Sequence, residues 1–303
     1  MNKIINLLKE KKSIPLDQFI NIALYDKKFG YYKKKNPFGK EGDFITSPLI
    51  SNLFGEMLAV WCIAFWEHIG KPNKILLVEL GPGDGSLCKD LLKVFKQFKD
   101  FYNSLEINLL EISDKLKVIQ KAKINNKKIK FLHKKANNNL IKRIRNLNLI
   151  SVGNTIEYPV EALKFLESIA KKINKFEGGL LTFDYGYTIK KNQNTLQSVK
   201  KHKYLNVFLK PGHSDITSHI NFKLFHKILN KNNLDVQKIT KQSEFLKKIG
   251  ILERANILSK KMTFKAKANM FYRLKRLLDP EEMGDLFKVI FAQKKGRKFS
   301  LGF

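Results

Sequence analysis

The stretch Val78-Glu79-Leu80-Gly81-Pro82-Gly83-Asp84-Gly85 decides the fold of this 303-residue chain. It follows the short apolar segment 74–80, which is typical of a buried strand, and it precedes the amphipathic segment 86–98, which is typical of a helix. Glycines at such a junction let the chain turn tightly and let a ligand approach the backbone. Because α/β folds bind ligands where strands end, the stretch predicts an α/β domain with a ligand-binding loop. A purely structural turn is the alternative.

The spacing and the charge of this loop indicate which ligand it binds. Its glycines follow the pattern Gly-x-Gly-x-Gly, whereas a dinucleotide loop reads Gly-x-Gly-x-x-Gly and directs a helix N-terminus at pyrophosphate. The carboxylates of Glu79 and Asp84 would repel pyrophosphate, but they suit a cofactor that carries an ammonium and a sulfonium, such as S-adenosylmethionine (SAM). We therefore expect Glu79, Asp84 and the glycines Gly81, Gly83 and Gly85 to bind SAM, and we disfavour an NAD-linked oxidoreductase.

A further carboxylate stands at the end of the next predicted strand, Ile107 to Glu111. An acidic residue in this position can accept hydrogen bonds from both hydroxyl groups of a ribose. A carboxylate that ends a strand can also be merely solvated, and that alternative stays open. Since Glu111 lies one βαβ unit after the glycine loop, we expect it to bind the ribose of the cofactor.

Strand and helix patterns alternate along the rest of the chain. They predict strands at 128–132, 179–184, 234–239 and 287–293, with helical segments between them. Repeated strand–helix units predict a parallel, doubly wound sheet with right-handed crossovers. Residues 1–70 read as helices around a loop, and residues 244–286 are mostly helical.

The net charge of +31 raises the question of a nucleic-acid partner. Only six of the 58 basic residues are arginines, whereas a protein that reads bases uses the arginine fork. The lysines are also scattered, so we favour compositional drift and predict no specific nucleic acid. No apolar run reaches the roughly 18 residues that a membrane span needs, and neither cysteine has a partner at metal-ligand spacing. We therefore expect a soluble cytoplasmic protein with no metal.

Several motifs along the chain point together to one family. They are Gly42-Asp43-Phe44-Ile45-Thr46-Ser47-Pro48 with Phe54-Gly55-Glu56, the glycine loop, Asp184-Tyr185-Gly186, His202, Pro211-Gly212 with Asp215-Ile216-Thr217, Phe245-Leu246 with Gly250-Ile251 and Glu253-Arg254, and Met283-Gly284 with Phe287-Lys288. In this order they resemble the MidA-like methyltransferases, which are mitochondrial and bacterial assembly factors of respiratory complex I.

This resemblance implies a Rossmann-like class I SAM-dependent methyltransferase. Residues 1–70 would form an N-terminal helical segment that packs on the core, residues 71–243 and 287–296 the core, and residues 244–286 a helical insertion. The family's activity would be methylation of a protein arginine in a quinone-module subunit of complex I. The resemblance also places Thr46 and Ser47 at the cofactor. It further implies a mitochondrial matrix location if the source is eukaryotic, and it leaves a homodimer open.

One departure from the family concerns the catalytic carboxylates. Family members follow their fourth strand with an acidic Asn-Glu segment, but no Asp or Glu occurs between Lys115 and Ile156, as if residues were deleted between about 133 and 153. A guanidinium is a poor nucleophile, and carboxylates must orient it and accept its proton. The remaining candidates are Asp43, Glu56 and Asp184. The alternative is a protein that binds cofactor or partner without turnover.

Overall fold

The structure, a computed structural model, is described here for a defined part of the chain. The described residues are 6, 13–26, 30–33, 46–83, 85–110, 145–147, 157–188, 194–200, 203–209 and 211–303. Several sequence predictions fall outside these residues, namely the strand 128–132 and the site residues Asp43, Asp84 and Glu111.

The N-terminal region is helical, as the sequence predicts. It contains helix α1 (Leu16–Tyr25), a short 3₁₀ turn (Tyr31–Lys33), helix α2 (Ser47–Ile50) and helix α3 (Asn52–His68). The side chain of Ser51 caps α3, because its hydroxyl oxygen accepts a hydrogen bond from the backbone N–H of Leu53. Helix α3 is apolar on most sides, and it therefore becomes the centre of the hydrophobic core.

A parallel strand pair surrounds the glycine loop. Strand β1 (Ile75–Leu80) leads through helix α4 (Ser86–Phe95) and helix α5 (Lys99–Ser104) to strand β2 (Leu105–Leu110). The register runs from Ile75 opposite Leu105 to Leu80 opposite Leu110. This confirms the predicted strand–loop–helix–strand unit, although the first helix ends at Phe95 rather than Phe98.

The chain then builds a long strand and a small antiparallel sheet. Helix α6 (Val160–Phe176) precedes strand β3 (Gly179–Tyr187), and three short strands follow: β4 (Gln197–Lys200), β5 (Lys203–Leu205) and β6 (Asp215–Thr217). Strand β4 lies between β5 and β6 and pairs antiparallel with both. This sheet was not predictable from the sequence, because its strands are too short and too polar to show a period of two.

The main sheet is completed by strands from the C-terminal part of the chain. These are β7 (Ile220–Asn221), β8 (Leu234–Val236), β9 (Thr240–Lys241) and β10 (Phe287–Lys294), with helix α7 (Phe222–Lys231) between β7 and β8. The order is β7-β3-β10-β8, and β9 also pairs with β10. Strand β10 runs antiparallel to β3 and β8, so the all-parallel sheet predicted from the sequence is wrong at this strand. The helical segment before β10 returns the chain to the opposite end of the sheet, instead of crossing over as a βαβ unit does.

The segment 244–286 is mostly helical, as predicted. It contains most of helix α8 (Gln242–Lys248), all of helices α9 (Ile251–Ser259) and α10 (Phe264–Leu278), and the four-residue α11 (Met283–Leu286). Parts of these helices enter the same core as α3. The division of the chain into core and insertion stays a prediction.

One core joins the strands that carry the candidate site. Trp61 of α3 stacks on Phe65 and contacts the edges of Phe291 and Phe299, and Phe54 of α3 contacts Phe183 of β3. The other members that link the strands to this core are Ile75 and Leu77 of β1, Leu105 of β2, Leu181 of β3 and Val289 of β10. The glycine loop after β1 and the motif at the end of β3 are therefore held by the same helix.

The second face of the main sheet is covered by α6 and α7. Their buried residues pack with the sheet through Leu163, Leu166, Ala170, Ile173, Phe222, Leu224, Ile228, Leu229, Ile290 and Ala292. Among the described residues, no helix is both long and apolar enough to cross a membrane.

Candidate functional site

The glycine loop presents an open concave backbone at the end of β1. The N–H of Gly81 donates to the carbonyl oxygen of Leu110 at 2.9 Å, and the N–H of Gly85 donates to that of Pro82 at 2.9 Å. Gly81 and Gly85 have φ values of +68° and +79°, and a Cβ built on either one meets no atom within 4 Å. Only glycine adopts this conformation without strain, and the open space leaves the backbone accessible to a ligand.

Acidic character at this edge comes from Glu79. Glu79 lies on β1 opposite Leu109, and its charge contributes, after burial, to raising the pKa of the Cys88 thiol on α4. The carboxylate therefore lies close to the first turn of the helix that the loop begins. Because Leu80 pairs with Leu110, Glu111 follows the end of the neighbouring strand in sequence, although it lies outside the described residues. These relationships are compatible with the predicted cofactor contacts, which stay predictions.

Helix α2, which precedes α3, is fixed by two buried hydrogen bonds in series. The hydroxyl group of Ser47 donates to Gln242 Oε1 at 3.0 Å, and Gln242 Nε2 donates to the carbonyl oxygen of Leu277 at 3.0 Å. Ser47 and Gln242 are both buried. These hydrogen bonds join α2 to α8 and α10, so they hold Thr46 and Ser47 in place. Their predicted contact with the cofactor stays a prediction.

Glu56, a predicted catalytic carboxylate, is already paired. Arg254 of α9 reaches Glu56 Oε2 with both Nη2 at 2.8 Å and Nε at 2.9 Å. This contact between α3 and α9 favours a structural role for Glu56, because the guanidinium of Arg254 already engages its carboxylate. Its catalytic role stays a prediction that no observation supports.

Asp184 has the properties of a proton-accepting carboxylate. It lies on β3, and the backbone N–H of Tyr185 donates to its Oδ1 at 2.8 Å. Burial raises the pKa of Asp184 to about 6, and the hydrogen bond from Tyr185 counteracts this only in part. A carboxylate with a pKa near the working pH is suited to general base chemistry, so its surroundings favour Asp184 over Glu56.

Tyr185, which follows Asp184 on β3, contacts His219 and Thr217. The ring of Tyr185 meets that of His219 edge-on, with centroids 5.4 Å apart, and the Tyr185 hydroxyl group shares a hydrogen bond with Thr217. Burial raises the pKa of Tyr185 to about 12 and lowers the pKa of His219, so both side chains are neutral at pH 7. The backbone N–H of His219 donates to Thr195 Oγ1 at 2.8 Å, and this hydrogen bond fixes the backbone of the loop.

A buried carboxylate borders the same region from the small sheet. Asp215 begins β6, is almost completely buried and forms a hydrogen bond with the hydroxyl group of Tyr32. Burial, followed by the charge of Asp215, raises the pKa of Tyr32 well above its ordinary value. Through this contact the N-terminal region is connected to the strand that carries Thr217.

The contact between Tyr185 and His219 was not predicted from the sequence. Both residues were visible, since Tyr185 belongs to a quoted motif and His219 follows the Asp215–Thr217 motif by two positions. The missing signal was spatial: the small sheet lies between Tyr185 of β3 and His219 in sequence, and only the fold brings the two rings together. The described residues contain no group of three or more His, Cys, Asp or Glu side chains that could hold a metal ion.

A family profile matches most of the candidate site. Its description reads "Putative S-adenosyl-L-methionine-dependent methyltransferase", and it matches residues 57–140 and 129–240, two overlapping segments that together span more than half of the chain. The match includes the glycine loop, Asp184 and His219.

Curated relatives align along almost the whole chain. The protein arginine methyltransferase NDUFAF7 of Xenopus tropicalis is 27% identical over 372 aligned positions, which cover 98% of this chain and 86% of the relative. The human protein of the same name is 25% identical, with 92% and 80% covered. Since 372 positions exceed the 303 residues present here, the Xenopus relative contains at least 69 residues without a counterpart in this chain.

A solved structure confirms the fold. A COG1565 superfamily member from Burkholderia thailandensis, whose crystals contain S-adenosylhomocysteine, superposes with a TM-score of 0.77 at 19% sequence identity. The superposition covers 99% of this chain and 92% of that protein.

Proposed function

Because this chain belongs to that family of S-adenosylmethionine-dependent methyltransferases, and is thus an enzyme that uses SAM, we propose that it methylates a guanidinium nitrogen of a protein arginine. The observation that carries the proposal is the carboxylate of Asp184 near the end of β3, which accepts a hydrogen bond from the backbone N–H of Tyr185 and whose pKa burial raises to about 6. The arginine methyltransferases among its relatives support the same acceptor.

The residues of the glycine loop fit the cofactor. The open space at Gly81 and Gly85 admits a ligand to the backbone, and the carboxylate of Glu79 would attract its ammonium group. SAM supplies an electrophilic methyl group on a positively charged sulfur. An acidic, glycine-rich edge stabilises that positive charge, whereas it would repel a phosphate-containing cofactor.

The acceptor arginine needs a group that orients it and takes its proton. A guanidinium is planar and donates hydrogen bonds to carboxylates, so Asp184 offers the acceptor that it requires. As the N–C bond to the methyl group forms, the C–S bond breaks and the nitrogen releases one proton. Asp184 accepts this proton. Its pKa is raised, so its ionised carboxylate binds a proton more tightly than an ordinary aspartate does.

Two measurements test this proposal in sequence. Calorimetric titration with SAM and with S-adenosylhomocysteine tests the cofactor site, and transfer of a labelled methyl group to arginine-containing peptides tests turnover. We expect Asp184→Asn to bind both ligands normally and to lose at least about a hundredfold in kcat. Wild-type transfer to lysine peptides but not to arginine peptides would refute the proposed acceptor.

A second function is favoured by one specific observation. The chain has no acidic residue from Lys115 to Ile156, where the family resemblance implies a catalytic segment. A protein that binds cofactor or partner without turnover would show normal calorimetric binding and no methyl transfer to any protein.

The finer identity of the substrate rests on the family resemblance. We propose a quinone-module subunit of respiratory complex I, methylated in the bacterial cytoplasm or, if the source is eukaryotic, in the mitochondrial matrix. Incubation of the enzyme with labelled SAM and purified complex I subunits would show which polypeptide takes the label. Gel filtration of the same preparation would test whether the enzyme is a homodimer.

A further inference from the structure

The turn between helices α9 and α10 combines exposed apolar side chains with a local excess of positive charge. We call residues 260–267 the lysine tip; their sequence is Lys260-Lys-Met-Thr-Phe-Lys-Ala-Lys267. Every residue from 260 to 269 is exposed, although the last turns of α10 are buried through Leu274 and Leu277. The first turns of α10 therefore project from the body of the protein.

Phe264 is the most exposed large apolar side chain of this region. It retains 89% of its accessible surface, and Met262 and Ile257 are exposed beside it in sequence. Tyr272, two turns along α10 from Phe264 and therefore on the same side of the helix, is exposed as well. Exposed single apolar residues are ordinary, but a group of them at the apex of a projecting turn marks a contact surface.

The charge of the same region has one sign. No Asp or Glu occurs between Ala255 and Leu278, whereas that interval contains five lysines and two arginines. Among the described ion pairs, Lys275 and Arg276 at its far end pair with Asp279 and Glu282, and the four lysines of the tip take part in none. The tip therefore presents uncompensated positive charge around Phe264 and Met262.

We propose that the lysine tip docks on an anionic phospholipid surface. Lysines outside the membrane attract acidic lipid headgroups, while a bulky apolar side chain among them enters the interface, which is the physical pattern of peripheral membrane binding. The absence of a spanning helix among the described residues limits such binding to the surface. This inference is independent of the proposed substrate.

The composition of the tip favours lipid over an acidic protein. Interfaces between proteins are enriched in arginine and depleted of lysine, and their central residues fill concave pockets. The tip has only lysines as cations, and it is a convex turn between two helices. A fluid layer of headgroups accepts a convex surface and does not need the fixed fork of arginine.

Vesicle binding of the full chain tests the proposal. We expect the protein to sediment with vesicles of equimolar phosphatidylcholine and phosphatidylglycerol, not with phosphatidylcholine alone, and to be released by salt. Phe264→Ala should weaken binding about tenfold, and Lys260→Glu with Lys265→Glu should weaken it further, since each surface lysine contributes about fivefold.

Phe176 provides a matched control. It is 68% exposed, and the ammonium group of Lys175 lies 4.7 Å from the centre of its ring, but it stands at the end of α6. Phe176→Ala should bind vesicles like the wild type. Fluorescence of Phe264→Trp should shift to shorter wavelength when anionic vesicles are added, and that of Phe176→Trp should not; the native Trp61 and Trp66 are buried and provide a constant background.

Three results would overturn the proposal. The first is no binding to anionic vesicles at low salt, and the second is equal weakening by Phe264→Ala and Phe176→Ala. The third is binding of polyglutamate that Phe264→Ala abolishes while vesicle binding is unchanged, which would assign the tip to an acidic protein instead. Because both phenylalanines are exposed, none of these substitutions should prevent folding.

Discussion

Lys288 lies directly opposite Asp184 in the pairing of β10 with β3, yet its ammonium group donates to the carbonyl oxygen of Asp285. Lys241 pairs with the carboxylate of Asp285 nearby. Within the described part of the chain, the amide of Tyr185 is the donor that reaches Asp184, and no cation neutralises that carboxylate. The fold therefore places a lysine opposite the candidate base Asp184 without an ion pair between them. An ion pair would lower the pKa of Asp184.

The first prediction concerns the pH dependence of methyl transfer. If Asp184 orients the acceptor and takes its proton, kcat should rise as the pH increases through about 6, because only the ionised carboxylate can do either. Asp184→Glu should shift the midpoint, whereas Glu56→Gln should leave it unchanged. A flat profile from pH 5 to about 8 would show that Asp184 does not control the rate.

The second prediction concerns stability. The folded-state pKa of Asp184 lies above its ordinary value, so the folded protein binds the proton more tightly than the unfolded chain does. The free energy of unfolding is therefore higher below the ordinary pKa, and this contribution is lost as the pH rises towards about 6. At pH 7, Asp184→Asn should raise the free energy of unfolding by about 1–3 kcal/mol. Urea unfolding of both proteins at pH 7 and at pH 4 measures this change in the free energy of unfolding. An equal change at the two pH values would contradict the burial of this carboxylate.

The third prediction tests the glycine loop. Gly81→Val should abolish SAM binding in calorimetry, because the branched side chain would occupy the open space beside the backbone. Gly296→Val is the matched control, since Gly296 also has a positive φ and open space but lies in the turn after β10. Both substitutions should cost about 1–2 kcal/mol of stability through backbone strain. Normal SAM affinity in Gly81→Val would remove the loop from the site.

The fourth prediction tests the buried hydrogen bonds that hold helix α2 in place. Gln242→Leu leaves the Ser47 hydroxyl group and the Leu277 carbonyl oxygen without their partner, so it should lower the free energy of unfolding by about 1–3 kcal/mol. Gln97→Leu removes an exposed contact with the carbonyl oxygen of Lys93 and should change stability by less than about 0.5 kcal/mol. If Gln242→Leu lowers the affinity for SAM and Gln97→Leu does not, the result supports the predicted contact of Thr46 and Ser47 with the cofactor.

The glycine loop and its flanking elements were predictable because each signal is local. Apolar patterning and glycine conformation within residues 75–95 predict strand β1, the turn at Gly81 to Gly85 and helix α4. The direction of β10 was not predictable, because an apolar strand has the same pattern whether it runs parallel or antiparallel to its neighbour. Tyr185 and His219 become neighbours only through pairing of distant segments.

The position of β10 also constrains how the chain can fold during synthesis. Strand β10 is the last strand in chain order, yet it lies between β3 and β8, and it joins Tyr185 to Phe287 and Gly179 to Gln293. While the ribosome is still translating the helices that precede it, β3 has no partner along that edge. Closure of the sheet must therefore wait until residue 294 has left the exit tunnel, and pairing across so long a separation is slow. A nascent chain arrested before β10 should bind chaperones and be degraded by proteases, even though its glycine loop is already complete.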